Sequence, residues 1–285
     1  MRHIQHGNGD KSCDLFVFED MSSVIDYTDG KLFQVQSESF LSGERLPNWD
    51  DVIKRTIRPW AEGAFIINEF VQKLQAIELP NLFSHRRQVM FNDEDGDEVD
   101  YDRLISGEPM WRKAERELAT GPTQVTVFVD VSASGSVSGE NIFWRGAAAV
   151  ALVSLLEKKG YSVELWMTDG GQFLAKTCRV NRNCRTLEAV CLKRGSDTLD
   201  IMGICNSLGG WFYRTVIFTL MSTIADKIGE KLASAYGPAI VPSQNQFDEL
   251  SVDELRITVA GVFSFNEALE CVKGELVKIS KRNGV

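Results

Sequence analysis

The stretch Val125 to Ser134, VTVFVDVSAS, constrains this chain more than any other. Its β-branched and aromatic residues read as a strand buried on both faces, and such strands belong to parallel sheets covered by helices. The run stops at Asp130, Ser132 and Ser134, which set small oxygen-bearing side chains at the strand's carboxyl edge. Hard divalent ions such as Mg²⁺ take oxygen ligands of this kind. Gly135 and Gly139 permit a turn, and residues 140 to 159 then read as a helix packed back on the strand. Ser162 to Met167 is the next strand. Strand, helical crossover and strand form the right-handed unit of a doubly wound sheet, so the fold class expected is α/β with a mostly parallel sheet.

A chain of 285 residues, 44% hydrophobic and 25% charged, can bury a large core. Its net charge of −9 argues against a generally basic surface that wraps duplex DNA, because phosphate neutralisation supplies most of that affinity. Cys13, Cys178, Cys184, Cys191, Cys205 and Cys271 contain no C-x-x-C pair, and His3, His6 and His85 do not cluster near them. No zinc site is expected. No signal-peptide pattern opens the chain, and no apolar run reaches the roughly 18 residues of a membrane span. The expectation is a soluble, cytoplasmic protein with reduced thiols.

Residues 1 to 119 are expected to form a partly helical extension packed on a main domain of residues 120 to 285. The first 46 residues are turn-rich, with Phe16, Phe18, Val24, Ile25 and Tyr27 able to dock as a short element. Asn48 caps a helix begun by Trp49, Asp50 and Asp51, and a second amphipathic helix runs from Ala64 to Ile77. The acidic run 92–102 fails as a calcium loop, since taking Gly96 as the required glycine puts Phe91 at the first ligand position; it reads as a solvated loop. Asp169-Gly170 reads as a turn, Lys176 to Asn183 as an edge strand, and 186–194 and 198–208 as helices. Arg214 to Thr219 is either a strand or part of one long helix over 210–233. Leu255 to Val262 is a strand, and Ser264 caps a closing helix from Phe265 to Lys281.

The Asp130-x-Ser132-x-Ser134 motif resembles the opening of the metal-ion-dependent adhesion site in von Willebrand factor A-type domains. That resemblance implies a von Willebrand A or Rossmann-like sheet in which the serine hydroxyls hold Mg²⁺, a threonine from a later loop adds a third oxygen, and an aspartate after the fourth strand completes the shell. Thr198 matches the loop-to-helix setting of the threonine. Asp226 is the aspartate expected, although it stands several residues past the end of the candidate strand, and Thr223 is the other group in that stretch. The same three residues also cap helices, so a capped turn without metal is the competing reading. Further blocks are similar to a set of bacteriophage proteins: Asn48-Trp49-Asp50-Asp51, Trp60-Ala61-Glu62-Gly63, Ile105-Ser106-Gly107-Glu108-Pro109, Arg145-Gly146-Ala147-Ala148 and Gly160-Tyr161-Ser162-Val163-Glu164. This implies a viral origin and a site of action in the host cytoplasm.

No phosphate-binding G-x-x-x-x-G-K-[ST] loop and no G-x-S-x-G elbow occurs, and no histidine in the second half can act as base for Ser132. The expectation is a non-enzymatic adaptor that captures a protein partner, in which a Mg²⁺ with an open position accepts a partner carboxylate. The alternative is a single-stranded nucleic-acid-binding factor in phage transcription or replication. It would use Lys176, Arg179, Arg182, Arg185, Lys193 and Arg194 with Trp166 or Trp211 to stack bases, or a second patch of Lys54, Arg55 and Arg58 beside Trp60. Charges at a sheet edge also deter aggregation, which is the plainer role for the first of these patches. His3 and His6 read as exposed and unliganded, and Trp49, Trp60 and Trp111 as packing residues.

Overall fold

The computed structural model describes residues 1–6, 13–28, 30, 32, 43–76, 87–92, 98–116, 124–133, 136–174, 183–228, 231–232, 250 and 255–282. The chain divides into two compact units. The larger comprises Met1–Glu78 and Thr123–Glu275, and the smaller Leu79–Pro122 and Leu276–Val285. In chain order the elements are β1 (Arg2–His6), β2 (Cys13–Phe18), α1 (Met21–Tyr27), α2 (Trp49–Thr56), α3 (Ala61–Gln75), β3 (Arg87–Asn92), β4 (Glu98–Val99), α4 (Tyr101–Ser106), β5 (Trp111–Arg116), β6 (Gln124–Asp130), α5 (Gly139–Lys158), β7 (Ser162–Leu174) and β8 (Asn183–Lys193). There follow α6 (Ile201–Ser207), α7 (Gly210–Phe212), a π-helical turn (Tyr213–Ile217), α8 (Phe218–Ile228), β9 (Lys231–Leu232), β10 (Leu255–Val259) and α9 (Phe265–Arg282).

The larger unit is an α/β fold on a mixed sheet with strand order β1-β2-β8-β7-β6-β10, with β9 pairing off this path onto β7. Pairs β2–β8, β6–β7 and β6–β10 are parallel. Pairs β1–β2 and β7–β8 are antiparallel. Strand β6 holds the centre because it is apolar on both faces: Val125, Val127, Phe128 and Val129 are all fully buried. Phe128 joins Leu15, Val17, Trp166, Leu187 and Ala189 in one core cluster. Helix α5 starts where Ser138 caps the Asn141 amide, and its residues from Arg145 to Leu156 are all buried, as a crossover helix laid on a sheet requires.

Several expectations change at this level. The boundary at 119/120 is not where the chain divides, since β1 and β2 from the first 18 residues complete the main sheet through the parallel pairing of β2 on β8. Residues 186–194 are strand rather than helix: Leu187, Ala189 and Cys191 alternate onto one face, and cross-strand partners on β2 and β7 settle what a short apolar run left ambiguous. Strand β7 likewise continues through Asp169, Gly170 and Gly171 in register with Glu188, Leu187 and Thr186, so that segment is not a turn. Residues 210–228 are helical throughout, with the π-helical turn at their centre. Asn48 does cap α2, accepting from the Asp51 amide at 3.0 Å. His3 is paired, its Nε2 standing 2.9 Å from Asp14 Oδ1 and its ring stacked on Phe16.

In the smaller unit β5 lies between β3 and β4 in an antiparallel sheet. Asp100 accepts from the Arg103 amide at 3.2 Å at the start of α4, and Arg103 pairs with Glu108 at 2.9 Å. Among the described residues no helix is long and apolar enough to cross a membrane.

Candidate functional site

Two features of the larger unit hold chemistry, and both depend on the β6–α5 connection. The first is a buried cluster of ionisable groups at the carboxyl end of β6, where ligands of open α/β sheets commonly bind. Asp130 ends the strand at 2% exposure, and its Oδ1 accepts from the Ser132 amide at 3.0 Å and from the Ser132 hydroxyl. Helix α5 returns Arg145 over this point. The Arg145 guanidinium donates to the backbone carbonyls of Asp130 and of Ser132, the latter at 2.8 Å, and lies 3.6 Å from Asp130 Oδ2. The ring of Phe263 covers it from 4.8 Å. From the π-helical turn, Tyr213 accepts the Ala133 amide at 3.1 Å through its hydroxyl, so the turn, which re-aims the helix by one residue, points a phenol at the strand end.

Two further buried acids extend the cluster across the sheet. Asp169 on β7 stands in direct register with Glu188 on β8, at 2% and 1% exposure. None of their four carboxylate oxygens makes a well-formed hydrogen bond, although the Tyr213 hydroxyl and Gly170 amide favour the Asp169 anion and Thr186 favours that of Glu188. Burial pushes Asp169 up to about 7, with the charge of Asp130 adding to it. Burial and the facing Asp169 raise Glu188 well above the usual carboxylate range. Asp130 is raised by burial too, against the opposing hydrogen bonds of Ser132 and charge of Arg145. One guanidinium thus faces two of the acids, Asp130 and Asp169, while Glu188 faces Asp169 across the strand pair, and burial favours the protonated form of each.

The candidate Mg²⁺ ligands are only partly assembled. Asp130 and Ser132 meet, while Ser134 lies outside the described residues. Thr198 is exposed on the loop after β8, whose end packs beside Ser162 at the rim where β6 and β7 begin. That places it at the opposite end of the strands from Asp130. Asp226 is exposed near the end of α8, 13 residues beyond Tyr213 and so about 20 Å along the helix axis. Thr223 is buried and donates to the Thr219 carbonyl at 2.9 Å. Among the described residues no group of three or more histidine, cysteine, aspartate or glutamate side chains is placed to hold a metal ion. Of the expected ligands, Asp130 and Ser132 are the two that stand together among the described residues.

Of the first basic patch, Lys193 and Arg194 are the residues whose side chains are described. Lys176, Arg179 and Arg182 lie outside the described residues, and Arg185 is on β8 with its side chain outside them. Lys193 is buried at 3% exposure, donating to the Val163 carbonyl at 2.9 Å and pairing with Glu157 at 2.6 Å. Arg194 pairs with Glu19. Trp166 is 1% exposed and belongs to the core, so it has no face to offer a base. The alternation that makes β7 a central strand turns Trp166 inward, which the local sequence did not reveal.

The second feature is a groove of about 950 Å³ at the amino end of α5. Trp60, Trp144, Trp211 and Phe143 line it together with Lys54, Arg55 and Arg58. Arg55 stacks 4.0 Å above the Trp211 ring, and the Trp211 indole donates to the Glu44 carbonyl at 3.0 Å. Asn206 Nδ2 donates to the carbonyls of Arg55 at 2.6 Å and Thr56 at 3.0 Å, satisfying the exposed end of α2. Trp60 therefore lines a cavity rather than only packing. Arg145, Tyr213 and Glu188 are residues of the buried cluster to which sequence reasoning gave no role, and Trp211 was set with the other basic patch. A lone charge in the apolar run of α5 was the available signal for Arg145.

No curated protein and no solved structure matches the chain. A family match spans residues 14–273, nearly all of the β1–α9 order just described, and the chain accordingly belongs to the family described as a domain of unknown function, DUF7192.

Proposed function

We propose that the protein is a non-enzymatic interaction module of the von Willebrand A type that takes a segment of a partner protein into the groove between Trp60 and Trp211. The finer fold reading draws support from the β6–α5–β7 unit, with β6 and β7 parallel and the Asp130-x-Ser132 oxygens at the carboxyl end of β6. The observation that carries the function is the groove's mixture of indole rings and charges of both signs. Four acids (Glu44, Asp51, Glu62, Glu140) stand with three bases (Lys54, Arg55, Arg58) along it. Tryptophan and arginine dominate the energetics of protein interfaces, and the helices that wall the groove also expose Ile57, Phe65, Ile66 and Met202 at 69%, 63%, 37% and 47%. The acids offset the bases, so the groove lacks the net positive charge that draws a phosphate backbone, and a protein segment is the favoured occupant.

Selection from a random peptide display library on the immobilised full chain tests this reading. The expected result is a related set of peptides that compete with one another and lose binding on Glu62→Lys and Ile66→Asp, at two exposed lining positions, with both variants keeping the wild-type circular dichroism spectrum. Absence of any enriched set, or salt-sensitive binding of a labelled oligonucleotide that disappears on Arg55→Glu and Arg58→Glu, would overturn it.

A further inference from the structure

We propose that Arg145 is a resident cation that closes the oxygen cluster at the carboxyl end of β6, so that the cluster works as an internal ion pair and takes no divalent metal. The guanidinium reaches three oxygen positions at once: the carbonyls of Asp130 and Ser132, and the Asp130 carboxylate at 3.6 Å. Both side chains are 2% exposed, so the pair is screened little by solvent. Asp130 Oδ1 accepts from both the amide and the hydroxyl of Ser132, and its Oδ2 faces the guanidinium, so both oxygens of the carboxylate already have partners within the fold. Mg²⁺ binds carboxylate oxygen at about 2.1 Å, and an ion held there by Asp130 would stand beside a buried guanidinium of like sign.

The remaining surroundings fit a fixed organic cation better than a hydrated metal. Phe263 stacks over the guanidinium at 4.8 Å, a contact suited to a planar, weakly hydrated cation. Tyr213 and Asp169 face it from the π-helical turn and β7; burial lowers the Arg145 pKa, and the Asp130 carboxylate opposes that most. The same crossover that makes the β6–α5–β7 unit delivers the arginine, because Arg145 opens the fully buried stretch of α5, nearly two turns past its start at Gly139.

The test is a double-mutant cycle on the full chain. Asp130→Asn, Arg145→Met and the double variant are melted with and without Mg²⁺ and Mn²⁺, against a chelator. Each single variant is expected to lower Tm, because each strands a buried charge, and the double variant to regain at least half of the summed loss. Wild-type Tm is expected to be the same in chelator and in millimolar Mg²⁺, and the electron paramagnetic signal of free Mn²⁺ to be undiminished by the protein. Additive losses would overturn the proposal, as would a Mg²⁺-dependent rise in wild-type Tm that Asp130→Asn abolishes. If Arg145→Met does not fold, Arg145→Lys carries the test. It is expected to fold with a lowered Tm and to stay indifferent to Mn²⁺, and Mn²⁺ uptake by wild type would still sink the idea.

Discussion

Gly139 and Gly210 meet backbone to backbone where α5 and α7 begin: a Cβ on Gly210 would lie 2.4 Å from the Gly139 Cα. No side-chain adjustment can relieve such a contact, since the neighbour is main chain. Both residues also line the groove. Gly210→Ala is expected to lower stability by about 1–3 kcal/mol, the range for overpacking a tight contact. Gly274 on α9 offers the contrast, with nothing within 4 Å of a Cβ there. Gly274→Ala is expected to raise stability by roughly 0.5–1 kcal/mol through helix propensity alone. Urea denaturation of both variants checks the pair of signs.

Asp169 gives the fold a pH dependence. Its folded-state pKa of about 7 stands above the ordinary value of 3.8. A carboxyl raised on folding imposes no penalty below the unfolded pKa and an increasing one as pH rises toward the folded value. Stability is therefore lost between about pH 4 and 7, and Glu188, raised by burial beside it, continues the loss to higher pH. Asp169→Asn removes the ionisation while keeping the shape. The variant's advantage over wild type is expected to grow from pH 4 to pH 7, to at most about 4 kcal/mol, and then level off. Denaturation midpoints across that range decide it, and a difference that shrinks as pH rises would show the sign to be wrong.

Asn206 ties α6 to α2 through the Arg55 and Thr56 carbonyls. Its loss leaves the end of α2 without these donors. Asn206→Ala is expected to cost about 1–2 kcal/mol, and to weaken any peptide selected on the wild-type groove, because Arg55 carries the cation stacked on Trp211. Leu46→Ala on the groove rim serves as the comparison: it trims the lining without touching the carbonyls, so it should affect binding without the same loss of fold.

The thiols should separate by environment. Burial pushes Cys191 to about 11 and Cys205 to about 12, while Cys271 on α9 is only half-buried. At pH 8 the native chain is expected to alkylate at Cys271 well before Cys191 or Cys205, read by peptide mass mapping. Equal rates at these three positions would contradict the burial that raises the first two.

Much of the architecture was legible because it rests on period and composition. The apolar run of β6, the long crossover α5, the Asn48 cap of α2 and the Ser264 start of α9 are local signals, and each element formed close to its expected span. Strand β8 was misread as helix, since Leu187, Ala189, Val190 and Cys191 satisfy either period over so few residues. Only pairing with β2 and β7 selected the strand.

The amino-acid order by itself determined where the oxygen-bearing residues stand relative to a buried strand, because Asp130 and Ser132 follow it directly in the chain. Which charges meet them was a tertiary decision. Arg145 is 15 residues from Asp130, and Tyr213 is 80 residues from Ala133, the residue whose amide it accepts. Asp169 and Glu188 face each other only because β7 and β8 pair in that register. Burial then fixed their chemistry, since the same carboxylates in water would ionise independently, whereas inside the sheet the charge of one raises the pKa of the other.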